Sequence, residues 1–289
     1  MKKIKLKGEK AFNDFYESIY GSRWDSLKEA FEKDPDYMTL SEGLLSPYYM
    51  DSASVYPVRA LDIAPGQRIL DMCAAPGGKT LLIALALAQA SGKGSREAED
   101  GIMSGTITAN DRSPDRRNRL IKVLDELLPP RLRESVTVTG HDASRWGIYE
   151  KNVYDRVLLD APCSSERHVY LSKTHLGNWS PARTRQLSER QFAMLAASLD
   201  AVKPGGKIVY STCSISPAEN DGIIEKLLKK RAGLFEISGQ TSEDDSANEG
   251  AADNTGSGVS PERTACGFQI MPDKTGGSGP IYYTIIKKL

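Results

Sequence analysis

Apolar and polar positions alternate along this chain in two rhythms. Between residues 9 and 34, Phe12, Phe15, Tyr16, Ile19 and Tyr20 recur near a helical period, which predicts a helix that Pro35 ends. Residues 41–60, SEGLLSPYYMDSASVYPVRA, lose that period and read as an aromatic-rich connector. From residue 61 onward short apolar runs take over. RILDM (68–72), TITAN (106–110), VTVT (136–139), DRVLLD (155–160) and KIVYST (207–212) read as strands. Amphipathic stretches at 79–91, 114–128, 188–203 and 217–231 read as helices, and KPGG at 203–206 as a turn feeding the fifth strand. Such alternation predicts an α/β fold, a parallel sheet covered by helices on both faces. The last segment, PIYYTIIKKL, predicts a closing strand.

The predicted organisation is a helical N-terminal extension and connector over 1–60, then one α/β domain over 61–289. Inside that domain, residues 238–262 are rich in Ser, Gly, Asp and Asn and nearly free of large apolar side chains. That composition does not offset the entropy of ordering, so a mobile acidic surface loop is expected.

Composition narrows the setting. With 289 residues and 39% hydrophobic content, the chain can bury the core of one large domain. No run of about 18 apolar residues occurs, so no membrane span is expected. The start, MKKIKLKGEKAFNDF, has no apolar signal core, and neither a secretory nor a transit peptide is expected from it. Four cysteines (Cys73, Cys163, Cys213, Cys266) without a C-x-x-C pair, and only three histidines, argue against a disulfide scaffold and against a metal site. This usage fits a cytoplasmic setting, with a mitochondrial one open for a processed eukaryotic protein.

The net charge of +0 hides an asymmetry. Residues 236–262 hold seven acids and no Lys or Arg; setting them aside leaves 38 basic against 31 acidic residues, an excess of +7. Basic residues cluster in the first ten positions, at Arg112/Arg116/Arg117/Arg119, at Arg183/Arg185/Arg190 and at Lys229/Lys230/Arg231. Clusters on a net-positive body suit a polyanion partner. Solvated helix faces are the other reading.

Candidate chemistry begins with DMCAAPGGKT, residues 71–80. Gly78, Lys79 and Thr80 match the end of a phosphate-binding loop, but Cys73 stands where its first glycine belongs, and no G-x-G-x-x-G occurs. Pro76, Gly77 and Gly78 still let a ligand approach the backbone, and the helix start offers N–H groups to an anion. S-adenosylmethionine fits this pattern. Its carboxylate would meet the helix, Asp111 after the second strand would take the ribose hydroxyls, and Asp142 after the third would face the adenine.

LLDAPCSS and VYSTCSIS then place Cys163 and Cys213 just past two strands expected to be neighbours. Two thiols beside a methyl donor point to pyrimidine C5 chemistry. Carbon-5 of cytosine is a poor nucleophile until a thiolate adds to carbon-6, and thiols are intrinsically strong nucleophiles. Asp160, in its protonated form, would hydrogen-bond N3 of the base. His168, Tyr170 and Trp179, in the loop after Cys163, would either stack on the extruded base or pack the loop.

DMCAAPGGKT, NDRSPDRRNRL, HDAS, LLDAPCSSERH and YSTCSISPAEND resemble, in order and spacing, the motifs of the Sun-type RNA cytosine-5 methyltransferases. YYMDSASVYPV and ANDRSPDR look most like the branch acting on mitochondrial small-subunit rRNA. The resemblance implies a class I, Rossmann-like methyltransferase with seven strands in the order 3-2-1-4-5-7-6. It implies Cys213 as the nucleophile and Cys163 as the group assisting release. It carries the cofactor contacts to Cys73, Ala74, Ala75, Pro76, Gly77, Gly78, Lys79, Asp111, Arg116, Asp142 and Asp160. The expected partner is RNA, rRNA before tRNA, with a protein partner or ribosomal subunit aiding selection. Three other readings stay open: a nucleotide hydrolase with Asp160 holding magnesium, a non-catalytic RNA-binding assembly factor, and a DNA cytosine-5 methyltransferase attacking through Cys163.

Overall fold

A computed structural model describes residues 7–92, 104–238 and 260–289. The helix expected over 9–34 is two helices, α1 (Glu9–Tyr20) and α2 (Arg23–Glu32). Gly21, at φ +55, turns the chain between them in a conformation that L side chains rarely adopt. An antiparallel hairpin, β1 (Tyr37–Leu40) and β2 (Tyr48–Asp51), begins before the expected connector and ends inside it, followed there by a short helix α3 (Val55–Arg59).

The main sheet follows the apolar runs. Its parallel strands are β3 (Arg68–Asp71), β4 (Thr106–Asn110), β5 (Val136–Thr139), β6 (Tyr154–Asp160) and β7 (Val202–Thr212). Between them run α4 (Gly78–Gly92), α5 (Pro114–Leu127), α6 (Pro130–Glu134), α7 (Trp146–Tyr149), α8 (Glu166–Leu171), α9 (Lys173–Asn178) and α10 (Pro181–Ala201). The chain closes with α11 (Asp221–Lys230), β8 (Phe235–Ser238), β9 (Glu262–Arg263), β10 (Phe268–Ile270) and β11 (Ile281–Lys288).

Strand order is β5-β4-β3-β6-β7-β11, with β11 antiparallel to β7 and β8 on the far edge of β11. This is the expected order 3-2-1-4-5-7-6. Two strands were not expected. β8 pairs only with residues 285–288 of β11, which leaves the edge at 281–283 open, and β10 pairs there, itself joined by β9. Pairing both halves of a long edge removes exposed backbone donors and acceptors. This sheet therefore has nine strands among the described residues.

Boundaries moved where local turn chemistry overrode periodicity. α10 starts at Pro181, seven residues before the expected 188, with proline in the first turn where its missing N–H costs nothing. α11 starts at Asp221, after a turn over 217–220. KPGG lies inside β7, where Gly205 at φ +74 and a register shift against β6 absorb the kink.

Alternation along the strands builds two cores. Ile69, Ile107, Leu158 and Val209 pack with Leu81, Leu120 and Leu124 on one face. Leu70, Val157, Leu159 and Ile208 pack with Leu195, Ile223 and Leu227 on the other. A third cluster joins Phe12, Tyr16, Trp24, Leu27 and Phe31 of the N-terminal helices to Val169, Leu176 and Trp179. No described helix is long and apolar enough to cross a membrane. The acidic-loop expectation falls mostly on residues 239–259, outside the described set.

Trp179 is 2% exposed, its ring edge-on to Phe12 at 5.3 Å, so it packs the loop and does not offer a stacking face. Tyr170 likewise sits against Phe12 and Phe31. Trp179→Ala should cost about 3–5 kcal/mol of stability, read as a fall in the urea midpoint; an unchanged midpoint would refute this packing role.

Candidate active site

All five parallel strands point their carboxyl ends to one side, and the sequence motifs follow those ends. After β3 the backbone turns at Gly77, φ +125, and enters α4 at Gly78. A Cβ on Gly78 would lie 2.9 Å from the ring of Tyr48, so the hairpin rests directly on the loop. Between them lies a cavity of about 150 Å³ lined by Tyr48, Met50, Asp71, the loop residues, Lys79 and Asp160. Thr80 donates to Asp71 at 2.7 Å, while the other Asp71 oxygen is buried without a partner. Burial pushes the Asp71 carboxyl up to about 7.

Cys73 also lines a second cavity, of about 420 Å³, with Asn110, Asp111, Arg116, Ala143 and Arg190. One Asp111 oxygen accepts from the Ser113 N–H at 2.9 Å. The other lies 3.4 Å from Arg116 but is buried without a hydrogen bond. Arg116 itself donates to the Ala75 carbonyl at 2.6 Å, tying the loop to the first turn of α5.

Asp142 is placed differently from its expected adenine contact. Its side chain accepts from the Ser144 backbone and hydroxyl and pairs with Arg112 at 3.0 Å, and Ala143 lines the cavity instead. Burial opposes its charge, yet these donors hold its carboxyl below the usual range. The cluster expected to grip phosphates is largely spent here too: Arg112, Arg116 and Arg117 bond Asp142, Ala75 and the Asp111 carbonyl. Arg183, Arg185 and Arg190 are exposed on α10.

A third cavity, of about 360 Å³, shares Ser54, Lys79 and Asp160 with the first. Cys213 and Ser165 line it, with Arg167, His168 and Asp51. Lys79 donates to Asp160 at 2.8 Å, and Ser211 donates to its other oxygen at 2.8 Å. Both Asp160 oxygens therefore accept, which does not match the protonated, donating Asp160 expected from sequence. Burial alone would lower Lys79, but the adjoining Asp160 raises it, so the ammonium is retained.

Cys163 and Cys213 meet at the ends of neighbouring β6 and β7, their Sγ atoms 2.9 Å apart. Cys213 faces the cavity; Cys163 is not among its lining residues. Ser165, at φ +53, turns its hydroxyl to 3.2 Å from the Cys213 sulfur and 3.5 Å from the Cys163 sulfur. Donation from Cys163 holds the Cys213 thiol below its usual range against burial, and Ser165 adds to this. Cys163, which keeps the shared proton, is pushed well up by that hydrogen bond and by burial.

Two carboxylates absent from the sequence reading hold this pair. Glu219, following the Cys213 loop, accepts from the Ser164 backbone at 3.0 Å, from the Ser164 hydroxyl and from Gln191 at 2.7 Å. Glu166, following the Cys163 loop, accepts from Ser214 and the Ile215 N–H, each at 3.1 Å, and from Tyr16 of α1 at 2.5 Å. Each loop is thus held by a buried acid from the other. Burial, then the charge of Glu219, raises Glu166 to about 7. Among the described residues no His/Cys/Asp/Glu group is arranged to hold a metal ion.

Two measurements follow. The pH midpoint of Cys213 alkylation by iodoacetamide should lie below that of an ordinary cysteine thiol, and Cys163→Ala should move it upward. An unmoved midpoint would mean the sulfur contact does not activate Cys213. Glu166 has a folded value near 7, above the unfolded carboxylate value of about 4.3, so its contribution is full at low pH and lost as pH rises through 7. Glu166→Gln should flatten the fall of the urea midpoint across that window relative to the unmutated chain.

Residues 58–284 match the family model "16S rRNA methyltransferase RsmB/F". The 5-cytosine rRNA methyltransferase NSUN4 of Xenopus tropicalis is 40% identical over 203 residues, 68% of this chain and 46% of that protein. The mitochondrial tRNA (cytosine(34)-C(5))-methyltransferase of Mus musculus is 30% identical, covering 91% of this chain and 71% of its own length. The chain spans about half the length of several curated relatives it matches. The structure of a methyltransferase homolog from Pyrococcus horikoshii superposes with a TM-score of 0.65 at 22% identity, over 96% of this chain and 94% of that one, a likeness of fold. With its glycine loop, paired thiols and sheet order in place, the chain belongs to the RsmB/F family of RNA methyltransferases.

Proposed function

We propose that this protein binds S-adenosylmethionine across the first two cavities and methylates carbon-5 of a cytosine in RNA held in the third. The observation that carries the reading is the thiol pair: Cys213 faces a cavity that adjoins the glycine-loop cavity through Lys79 and Asp160. A phosphate-loop reading leaves this pair unexplained and finds Lys79 already bonded to Asp160.

The residues present fit the cofactor. The Asp111 oxygen that lacks a hydrogen bond is an acceptor for ribose hydroxyls, and the Asp71 oxygen that lacks one an acceptor for an ammonium group. Gly77, Gly78 and the start of α4 leave backbone donors for a carboxylate. Cys73 to Lys79 and Arg116 shape the walls. When bound, S-adenosylmethionine supplies an electrophilic methyl group.

The protein's own groups supply the rest. The Cys213 thiolate adds its electron pair to carbon-6, and the ring charge moves toward N3 and O2. The Lys79 ammonium, held by Asp160, lines the same cavity and stabilises that charge. Carbon-5, now nucleophilic, would take that methyl group, the sulfonium sulfur keeping the electron pair of the broken S–CH3 bond and leaving as a neutral thioether. Release needs the C5 proton removed and the C6–S bond broken. The Cys163 sulfur, 2.9 Å from that of Cys213, is placed to assist this release as the C6–S bond returns its electron pair to Cys213.

The rRNA relatives and the family description support rRNA as substrate; the tRNA relatives support the same chemistry on tRNA as a second reading. The relative named as mitochondrial supports a mitochondrial setting over a cytoplasmic one. Exposed Arg183 and Arg185 suit phosphate contacts that position RNA without reading its sequence. A protein partner or ribosomal subunit would complete selection.

The test is methylation of total RNA with labelled cofactor, followed by mapping of the modified base. Cys213→Ala should reduce 5-methylcytosine formation by at least about 10³-fold. Cys163→Ala should retain attack and accumulate a covalent protein–RNA adduct. An adduct from Cys213→Ala instead would reverse the roles.

A further inference from the structure

The β1–β2 hairpin has two faces with different surroundings. Pairing puts Tyr37 opposite Asp51 and Thr39 opposite Tyr49, so these four share one face, and Met38, Leu40, Tyr48 and Met50 share the other. The second face is packed down: Leu40 and Met50 are buried, and Tyr48 and Met50 line the glycine-loop cavity. The first face looks outward, with Tyr37 60% and Tyr49 64% exposed.

This outward face is continuous with the third cavity. Asp51, the cross-strand partner of Tyr37, lines that cavity beside Cys213, Lys79 and Asp160. Its carboxylate is fixed by the N–H groups of Ala53 and Gly279, each at 2.9 Å. Ser52 N–H donates to the Asp36 carbonyl at 3.0 Å, closing the hairpin base. Tyr37 thus stands directly across the hairpin from the cavity-lining Asp51, and Tyr49 two residues before it on the same face.

We propose that Tyr37 and Tyr49 are a stacking platform for the unpaired bases flanking the target cytosine, a proposal that rests on the RNA-methylation reading. A cytosine drawn into the third cavity leaves its neighbours without their stacking partner. Aromatic faces beside that cavity replace the lost stack, and they accept any base because every base has a π-face. Two rings on a four-residue strand pair fall short of the roughly 1,200 Å² that a stable protein interface buries. Their continuity with the base cavity favours RNA as the occupant.

The probe is a twelve-nucleotide unstructured oligoribonucleotide with one central cytosine and 2-aminopurine on each side, bound to the full chain. The unmutated protein, Tyr37→Phe and Tyr49→Phe should quench 2-aminopurine fluorescence. Tyr37→Ala and Tyr49→Ala should lose the quench and weaken binding roughly five- to tenfold each. That factor should be the same at low and high salt, whereas the loss at Arg185→Ala should shrink as salt rises. Alanine variants that bind and quench normally overturn the proposal and leave the face to a protein partner. The readout needs no methyl transfer. If the quench pattern holds while no RNA is methylated, the platform stands and the chemistry falls; normal methylation with normal alanine-variant binding gives the converse.

Discussion

Two buried glutamates set the distance on which the chemistry depends. Glu219 reaches back from the Cys213 loop to Ser164, and Glu166 reaches from the Cys163 loop to Ser214 and Ile215. A short loop alone does not hold a sulfur to a fraction of an ångström; hydrogen bonds crossing between the two loops, one acid at the start of α8 and the other in the turn before α11, do. Buried acids need such partners, so satisfying them and fixing the loops are one event. The 2.9 Å sulfur contact and the low-lying Cys213 thiol both follow from that bracing.

The N-terminal helices enter the same network. Tyr16 donates to Glu166, and Tyr20 donates to the Ile215 carbonyl at 2.5 Å, so α1 touches the Cys213 loop directly. The third core cluster puts Trp24, Phe31 and Trp179 behind these contacts. Residues read in sequence as an extension therefore act on the thiol site through packing. The hairpin that follows them closes the glycine-loop cavity with Tyr48 and Met50.

Much of the site was legible because the fold is regular. In a doubly wound sheet, residues just past the strands face one crevice, so DMCAAPGG, NDRS, DAPC and STCS announced their neighbourhood before any coordinates. Side-chain direction was not legible. Asp142 turned to Ser144 and Arg112, and the arginines after β4 turned to Asp142 and to backbone carbonyls. Asp160 found two donors where a proton was expected. Each outcome depends on a partner distant in sequence, which no local pattern encodes.

The sequence by itself determined the strand and helix alternation, the strand order through the family motifs, and the placing of two cysteines at adjacent strand ends. Apolar periodicity and turn residues act over a few positions, and they suffice for that. Only the tertiary structure decided which thiol faces the cavity, that Glu166 and Glu219 are buried braces, and that Trp179 is core while Tyr37 and Tyr49 are surface. Burial is a property of what packs opposite a residue, and those partners lie far along the chain, as Phe12 does from Trp179.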